Sequence, residues 1–148
     1  MSKSIWKGEV TVEQLNRFQQ GTMAEHIGIV LTELGADFLR GVMPVNERTC
    51  TPFGALHGGA SVALAETLGS VAANFVVDRR RHSCVGQGIT ANHIRAVPLG
   101  GMVTGTARPL HLGSRSQVWN IDIVDPSGAL ICVSRLTMAV LDRPRDMT

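Results

Sequence analysis

Apolar and polar positions change period along the 148-residue chain. In "TVEQLNRFQQ", residues 11–20, Val12, Leu15 and Phe18 recur at spacing three. That spacing puts them on one face of a short amphipathic helix, for which Thr11 is a plausible N-cap. Two strand-like runs follow, "GIVLTEL" from Gly28 and "DFLRGVMPV" from Asp37, with the turn-like "LGAD" between them. Residues 46–54 form a polar loop containing Pro52. From Gly58 to about Val77 there is no proline, alanines are frequent, and nearly every face is apolar. A helix of that kind belongs at the centre of a fold. Its polar residues Glu66, Ser70 and Asn74 step by four and share one narrow stripe. After "DRRRHS" come "CVGQGITANHIRAV", "MVTGTARPLHL", "SQVWNIDIVD" and "ALICVSRLTMAVL", separated by the turn signals "PLGG", "GS" and "PSG". The order predicts an antiparallel meander over these last four strands. The whole reads as an α+β fold, an antiparallel sheet wrapped around one long helix, in a single domain over residues 1–148.

Composition narrows the functions on offer. The net charge of +2 and an aromatic content of 4% argue against nucleic-acid binding, because stacking platforms are missing. No run reaches the ~18 apolar residues of a membrane span, and the first residues lack a signal-peptide core. Cys50, Cys84 and Cys132 form no CxxC pair, so neither a disulfide framework nor a zinc site is indicated. The five histidines show no metal-like spacing, and no metal site is expected. A cytoplasmic protein with reduced thiols is the expectation.

The chemistry gathers in "PFGALHGGASVALAET", residues 52–67. A carboxylate inside an apolar helix is costly unless it is paired or neutralised. No helical neighbour of Glu66 is cationic, which makes it a candidate nucleophile or general base; a Glu that faces solvent at a helix boundary or bonds a backbone donor fits the same residues. His57-Gly58-Gly59 falls where the helix should start. Free N–H groups and the helix dipole there favour an oxygen carrying negative charge. The same three residues also fit an ordinary glycine-rich helix start. Gly58 and Glu66 are eight residues apart, roughly 12 Å along a helix. A donor and a nucleophile must both lie about 3 Å from one reacting group. The spacing therefore predicts a site completed by Gly58 of one subunit and Glu66 of another in a homodimer.

At this point the sequence resembles the hotdog-fold acyl-CoA thioesterases. The likeness is to the glutamate-type 4-hydroxybenzoyl-CoA thioesterases and their PaaI-like and enterobacterial aryl-CoA or aryl-carrier-protein relatives. It is carried by "IWKGEVTVEQLN", "MPVNERT", "PFGALHGGASVALAETLGS", "ANHIR", "PLHLGSRSQVW" and "SRLTMAVL". The resemblance implies a hotdog fold and hydrolysis of an acyl- or aroyl-CoA, or carrier-protein, thioester. It implies no cofactor beyond the substrate's own CoA, and a homodimer that pairs further into a homotetramer. Glu66 would attack the thioester carbonyl or activate water, and the Gly58 N–H would polarise that carbonyl. His57 would sit beside the leaving sulfur, and Ser70 would hold the hydrolytic water. His93, Arg95, Ser114 and Arg115 would contact the CoA arm, with Gly59 and Phe53 also at the substrate. Close members carry a Gln that orients the thioester where this chain has Thr51, and threonine cannot supply that amide. The departure leaves open a second function, a hotdog module that binds acyl-CoA without turnover. A hydratase would want an Asp-His type pair on the helix, and after His57 the helix offers no second His.

Four further features complete the reading. "RRRH", residues 79–82, fits a solvated loop or a phosphate-attracting one. The "GQG" of residues 86–88 lacks the third glycine of a dinucleotide fingerprint and marks a bulge or a close backbone approach. His111, before a turn, fits a structural role. The acyl pocket is expected to be apolar, lined by Met23, Phe53, Val62 and Leu68.

Overall fold

The computed structural model describes residues 3–144. A capped helix α1, Val12–Phe18, opens the fold. Thr11 accepts from the Gln14 N–H and the Gln14 side chain accepts from the Thr11 N–H, a reciprocal capping box. A one-turn helix α2, Met23–His26, follows directly and is absent from the sequence-based expectation. Strands β1, Val30–Leu34, and β2, Leu39–Pro44, precede the long helix α3, Gly58–Phe75. Four strands close the chain: β3 His82–His93, β4 Met102–Leu112, β5 Ser116–Val124 and β6 Leu130–Asp142.

The six strands form one antiparallel sheet in the order β1-β2-β4-β5-β6-β3. This corrects the expected four-strand meander. Only β4, β5 and β6 form one. β3 pairs with β6, from His82 opposite Asp142 to His93 opposite Cys132, and lies at the far edge of the sheet. The physical reason lies in the connection. Residues 94–101 span the gap between β3 and β4, too long for the two-residue turn of a tight hairpin. Pro98 of that connection bridges instead to Ala55 ahead of α3.

The sheet curls around α3, as the apolar helix demands. Alternate residues of β5 (Trp119, Ile121, Ile123) point inward, as do Leu136 and Met138 of β6. Leu64 and Leu68 of α3 are fully buried in the same cluster, and truncating either to alanine is expected to cost about 2–5 kcal/mol. A Cβ at Gly105 of β4 would come within 2.7 Å of Leu68 Cδ1, so the glycine lets the helix settle onto the sheet. Leu68 is therefore core, a correction to its expected place in the acyl pocket. No helix among the described residues is long and apolar enough to cross a membrane.

Candidate active site

The start of α3 borders one cleft. His57 is the N-cap, and its Nδ1 accepts from the Gly59 N–H at 2.8 Å. In the neutral ring the proton then sits on Nε2. Among the described residues this leaves the Gly58 N–H without a protein acceptor, a first-turn donor aimed outward. Of the two glycines, Gly58 keeps the donor and Gly59 has spent it. His93, at the end of β3, packs its ring against Gly58. A Cβ there would meet His93 Nε2 at 3.0 Å, so the glycine makes room for the imidazole. Gly58, His93 and Arg95 line a cleft of about 370 Å³ together with Ser61, Ile94 and Ile131. The donor, the two cationic-type side chains and an apolar floor suit the carbonyl and arm of an extended thioester.

Two turns along, Glu66 lines a second cleft. It is half-buried, with no cationic partner among the described ion pairs. It shares a cleft of about 380 Å³ with Thr67 and Ser70 of α3 and with Phe18, Gln19 and Met23 from the α1–α2 corner. Phe18 and Met23 are 65% and 63% exposed, large apolar side chains turned toward this opening. On the other side the carboxylate rests against the edge strand. Glu66 Oε1 lies 2.7 Å from where a Cβ on Gly86 would sit. The register between β3 and β6 slips here: Gly86 faces Met138, Gly88 faces Thr137, and Gln87 has no partner. The "GQG" is thus both a bulge and a close backbone approach, and what approaches it is Glu66. Asn74, the last member of the polar stripe, ties this strand to the helix. Its amide donates to the Ser70 and Cys84 carbonyls and accepts from the Cys84 N–H.

Gly58 and Glu66 line different clefts, separated by the roughly 12 Å that eight helical residues span. One chain brings Gly58, His57, His93 and Arg95 together at one end and Glu66 and Ser70 together at the other. Thr51 joins neither cleft: its hydroxyl accepts from the Phe53 N–H in a local turn. Phe53 is 94% exposed and lines neither cleft. Ser114 and Arg115 occupy the exposed β4–β5 turn, also apart from both. The arginine loop lies past the C-terminal end of α3, about 27 Å along the helix from Gly58. There Arg79 stacks 3.9 Å over the Phe75 ring, and Arg80 holds the Asp78 carboxyl below its ordinary range. Burial pushes the thiols of Cys84 and Cys132 up, which makes both poor nucleophiles. Among the described residues no cluster of three or more His, Cys, Asp or Glu could hold a metal ion. The expected pocket residue Met23 does line the Glu66 cleft, while sequence reasoning missed Ser61, Phe18 and Gln19.

The model of the thioesterase superfamily matches residues 53–132, from the loop before α3 into β6. A proofreading thioesterase, EntH, of Cronobacter sakazakii is 53% identical over 137 residues, covering 93% of this chain and 98% of its own. A 1,4-dihydroxy-2-naphthoyl-CoA hydrolase of Escherichia coli is 49% identical, covering 93% and 99%. Among solved structures, a mutant thioesterase from Pseudomonas aeruginosa superposes with a TM-score of 0.92 at 43% identity, over 95% of this chain and all of that one. A thioesterase from Haemophilus influenzae gives the same score and identity over 97% and 99%. With a sheet curled around one central helix and these relatives over nearly its full length, the chain belongs to the thioesterase superfamily, as an enzyme of the hotdog fold.

Proposed function

We propose that this chain hydrolyses an acyl- or aroyl-CoA thioester, or the equivalent carrier-protein thioester, at a site shared by two copies of itself. The observation that carries the reading is the separation of an outward N–H at Gly58 from a cation-free carboxylate at Glu66, each in its own cleft. In the shared site the thioester carbonyl oxygen accepts from the Gly58 N–H of one subunit. The dipole of α3 adds to that stabilisation as the oxygen gains charge. Glu66 of the other subunit attacks the carbonyl carbon or takes a proton from water that does so. In the general-base form, Ser70 holds the water one turn from Glu66. The C–O bond forms, the C–S bond breaks, and the proton taken by Glu66 passes to the departing thiolate. In the nucleophilic form, a mixed anhydride forms first and water then cleaves it. His57, protonated at Nε2, stands beside Gly58, where it can donate to the sulfur.

Glu66 lies against β3, which is the edge of the sheet. An edge strand is where a second copy can continue the sheet, so the carboxylate sits where a partner would bring its Gly58. Dimers of this kind can pair again into tetramers. His93 and Arg95 then face the pantetheine arm, and Ser114 and Arg115 on their exposed turn reach the CoA phosphates. The Escherichia coli relative is named for a naphthoyl-CoA, which favours an aromatic acyl group here. The test is thiol release from a panel of aroyl- and acyl-CoAs by the parent and by Glu66→Gln. The reading expects turnover by the parent and a loss of about 10³-fold or more in kcat for the variant. Equal rates overturn it. Tight binding of the esters with no thiol released by the parent would favour a non-catalytic module, the alternative that Thr51 raises.

A further inference from the structure

Past the C-terminal end of α3 the positive charge of the chain is concentrated. Two adjoining clefts there, of about 490 and 260 Å³, share Arg80. Between them they gather five cations, Lys7, Arg79, Arg80, Arg81 and Arg143, against two carboxylates, Asp78 and Asp142. The difference, +3, exceeds the +2 of the whole chain. The larger cleft is the better organised, because two of its cations are anchored to one buried residue. Lys7 is held by its backbone N–H, which donates to the Phe75 carbonyl at 2.9 Å. Arg79 is held by its guanidinium, which lies 3.9 Å over the centroid of the Phe75 ring. Stacking occupies the flat face of a guanidinium and leaves the N–H donors at its edge. Neither Lys7 nor Arg79 has a carboxylate partner among the described ion pairs. Asp78, the one carboxylate of this cleft, is already engaged: it accepts from Arg80 Nε and Nη2 at 3.3 and 3.4 Å and from the Arg80 N–H at 3.1 Å.

We propose that this cleft binds a diphosphate group, as carried by a nucleoside diphosphate, with Lys7 and Arg79 as its direct donors and Arg80 as a third positive charge. A diphosphate offers anionic oxygens on two linked centres. One centre suits the fork of Arg79 and the other the point charge of Lys7. The cleft is separate from both thioester clefts. Phe75 lies nine residues beyond Glu66, roughly 13 Å along α3. The diphosphate has two possible sources, a free nucleotide or the CoA of a thioester seated over Glu66. The binding itself stands whether or not the chain hydrolyses that thioester.

The experiment is calorimetric titration of the full chain with inorganic pyrophosphate, ADP and adenosine, at about 50 mM and about 500 mM salt. Parent, Lys7→Gln, Arg79→Gln and Arg135→Gln are compared, with thermal midpoints alongside. Arg135 is an exposed arginine of β6 that lines neither basic cleft, so its variant removes the same charge elsewhere. Pyrophosphate and ADP are expected to bind the parent, more weakly at the higher salt, and adenosine is not. Each cleft variant should weaken binding about 10-fold and Arg135→Gln less than about 2-fold. The source is read from KM for an acyl-CoA and for the phosphate-free pantetheine ester of the same acid. A rise in Arg79→Gln for the CoA ester alone identifies the substrate's own diphosphate, and an unchanged ratio identifies a free nucleotide. Failure of the thioesterase reading would show as no thiol released by the parent, and the calorimetry would still decide this inference. Pyrophosphate that does not bind the parent overturns it. So does binding that Lys7→Gln and Arg79→Gln leave unchanged, or that Arg135→Gln weakens equally, the signature of a solvated basic loop.

Discussion

Replacing Gly86 by alanine puts one methyl group against the carboxylate of Glu66. The new Cβ would stand 2.7 Å from Glu66 Oε1 and 3.8 Å from its Cδ, with Met138 Sδ at 3.9 Å. Only the oxygen is too close. The carboxylate must withdraw by about 0.7 Å to reach an ordinary contact, while the backbone and Met138 can stay. Misplacement of a reacting group by about 1 Å can cost 10²-fold in rate. A loss of about 10- to 100-fold in kcat is therefore expected for Gly86→Ala, about 1.4–2.7 kcal/mol of barrier. Stability should change by less than about 1 kcal/mol, because the obstructed group is the end of a flexible side chain. Gly88→Ala is the control on the same strand, since a Cβ there has no atom within 4 Å. Steady-state thiol release at saturating aroyl-CoA and a thermal melt are read for both variants. Parental kcat in Gly86→Ala, with an unchanged melt, would refute the proposed catalytic role of Glu66 at its place against β3.

Other expectations follow from the same geometry. Asn74→Ala removes the two hydrogen bonds by which its amide holds the Cys84 backbone to α3, and a third to the Ser70 carbonyl within the helix, and should cost about 2–3 kcal/mol in urea unfolding; a loss below 0.5 kcal/mol would contradict that role. Native protein near pH 8 should expose Cys50 to a disulfide reagent while Cys84 and Cys132 stay unreactive until denaturant is added. Their thiols titrate above 9.0 in the folded state, so the stability they contribute is complete below 9.0 and falls as pH rises beyond it. A denaturation midpoint that increases from pH 8.5 to 10 would count against this assignment.

Much of the fold was legible because its strongest signals are local. The apolar segment after His57 could be placed nowhere but the centre, and α3 starts at Gly58 as expected. The Thr11 cap and the alternation at Trp119–Ile123 located α1 and β5 to within a few residues. Strand order was not legible, because which edge receives β3 depends on the path of residues 94–101 around the helix and leaves no mark in the alternation. For the site, the eight-residue gap between Gly58 and Glu66 was visible from helical rise alone. The division of labour between Gly58 and Gly59 was not, since it depends on the His57 rotamer. Nor was the contact of Glu66 with Gly86, which joins residues twenty positions apart through a bulge. Gln19 stayed hidden because a glutamine at a helix end is ordinary until its cleft is seen.

In the proposed dimer each site takes Gly58 from one subunit and Glu66 from the other. Gly58→Pro removes the donor and pushes aside the His93 ring of the same cleft, while the helix start tolerates it, because proline is favoured at a first helical position and His57 is already extended. Gly58→Pro and Glu66→Gln are each expected to be nearly inactive. Unfolded together and refolded at equal amounts, half of the dimers are mixed, and each mixed dimer holds one intact site. Recovery of about a quarter of parental activity is expected in the mixture. Activity that stays at the level of the separate variants, while mixed dimers are seen by native mass spectrometry, would contradict it.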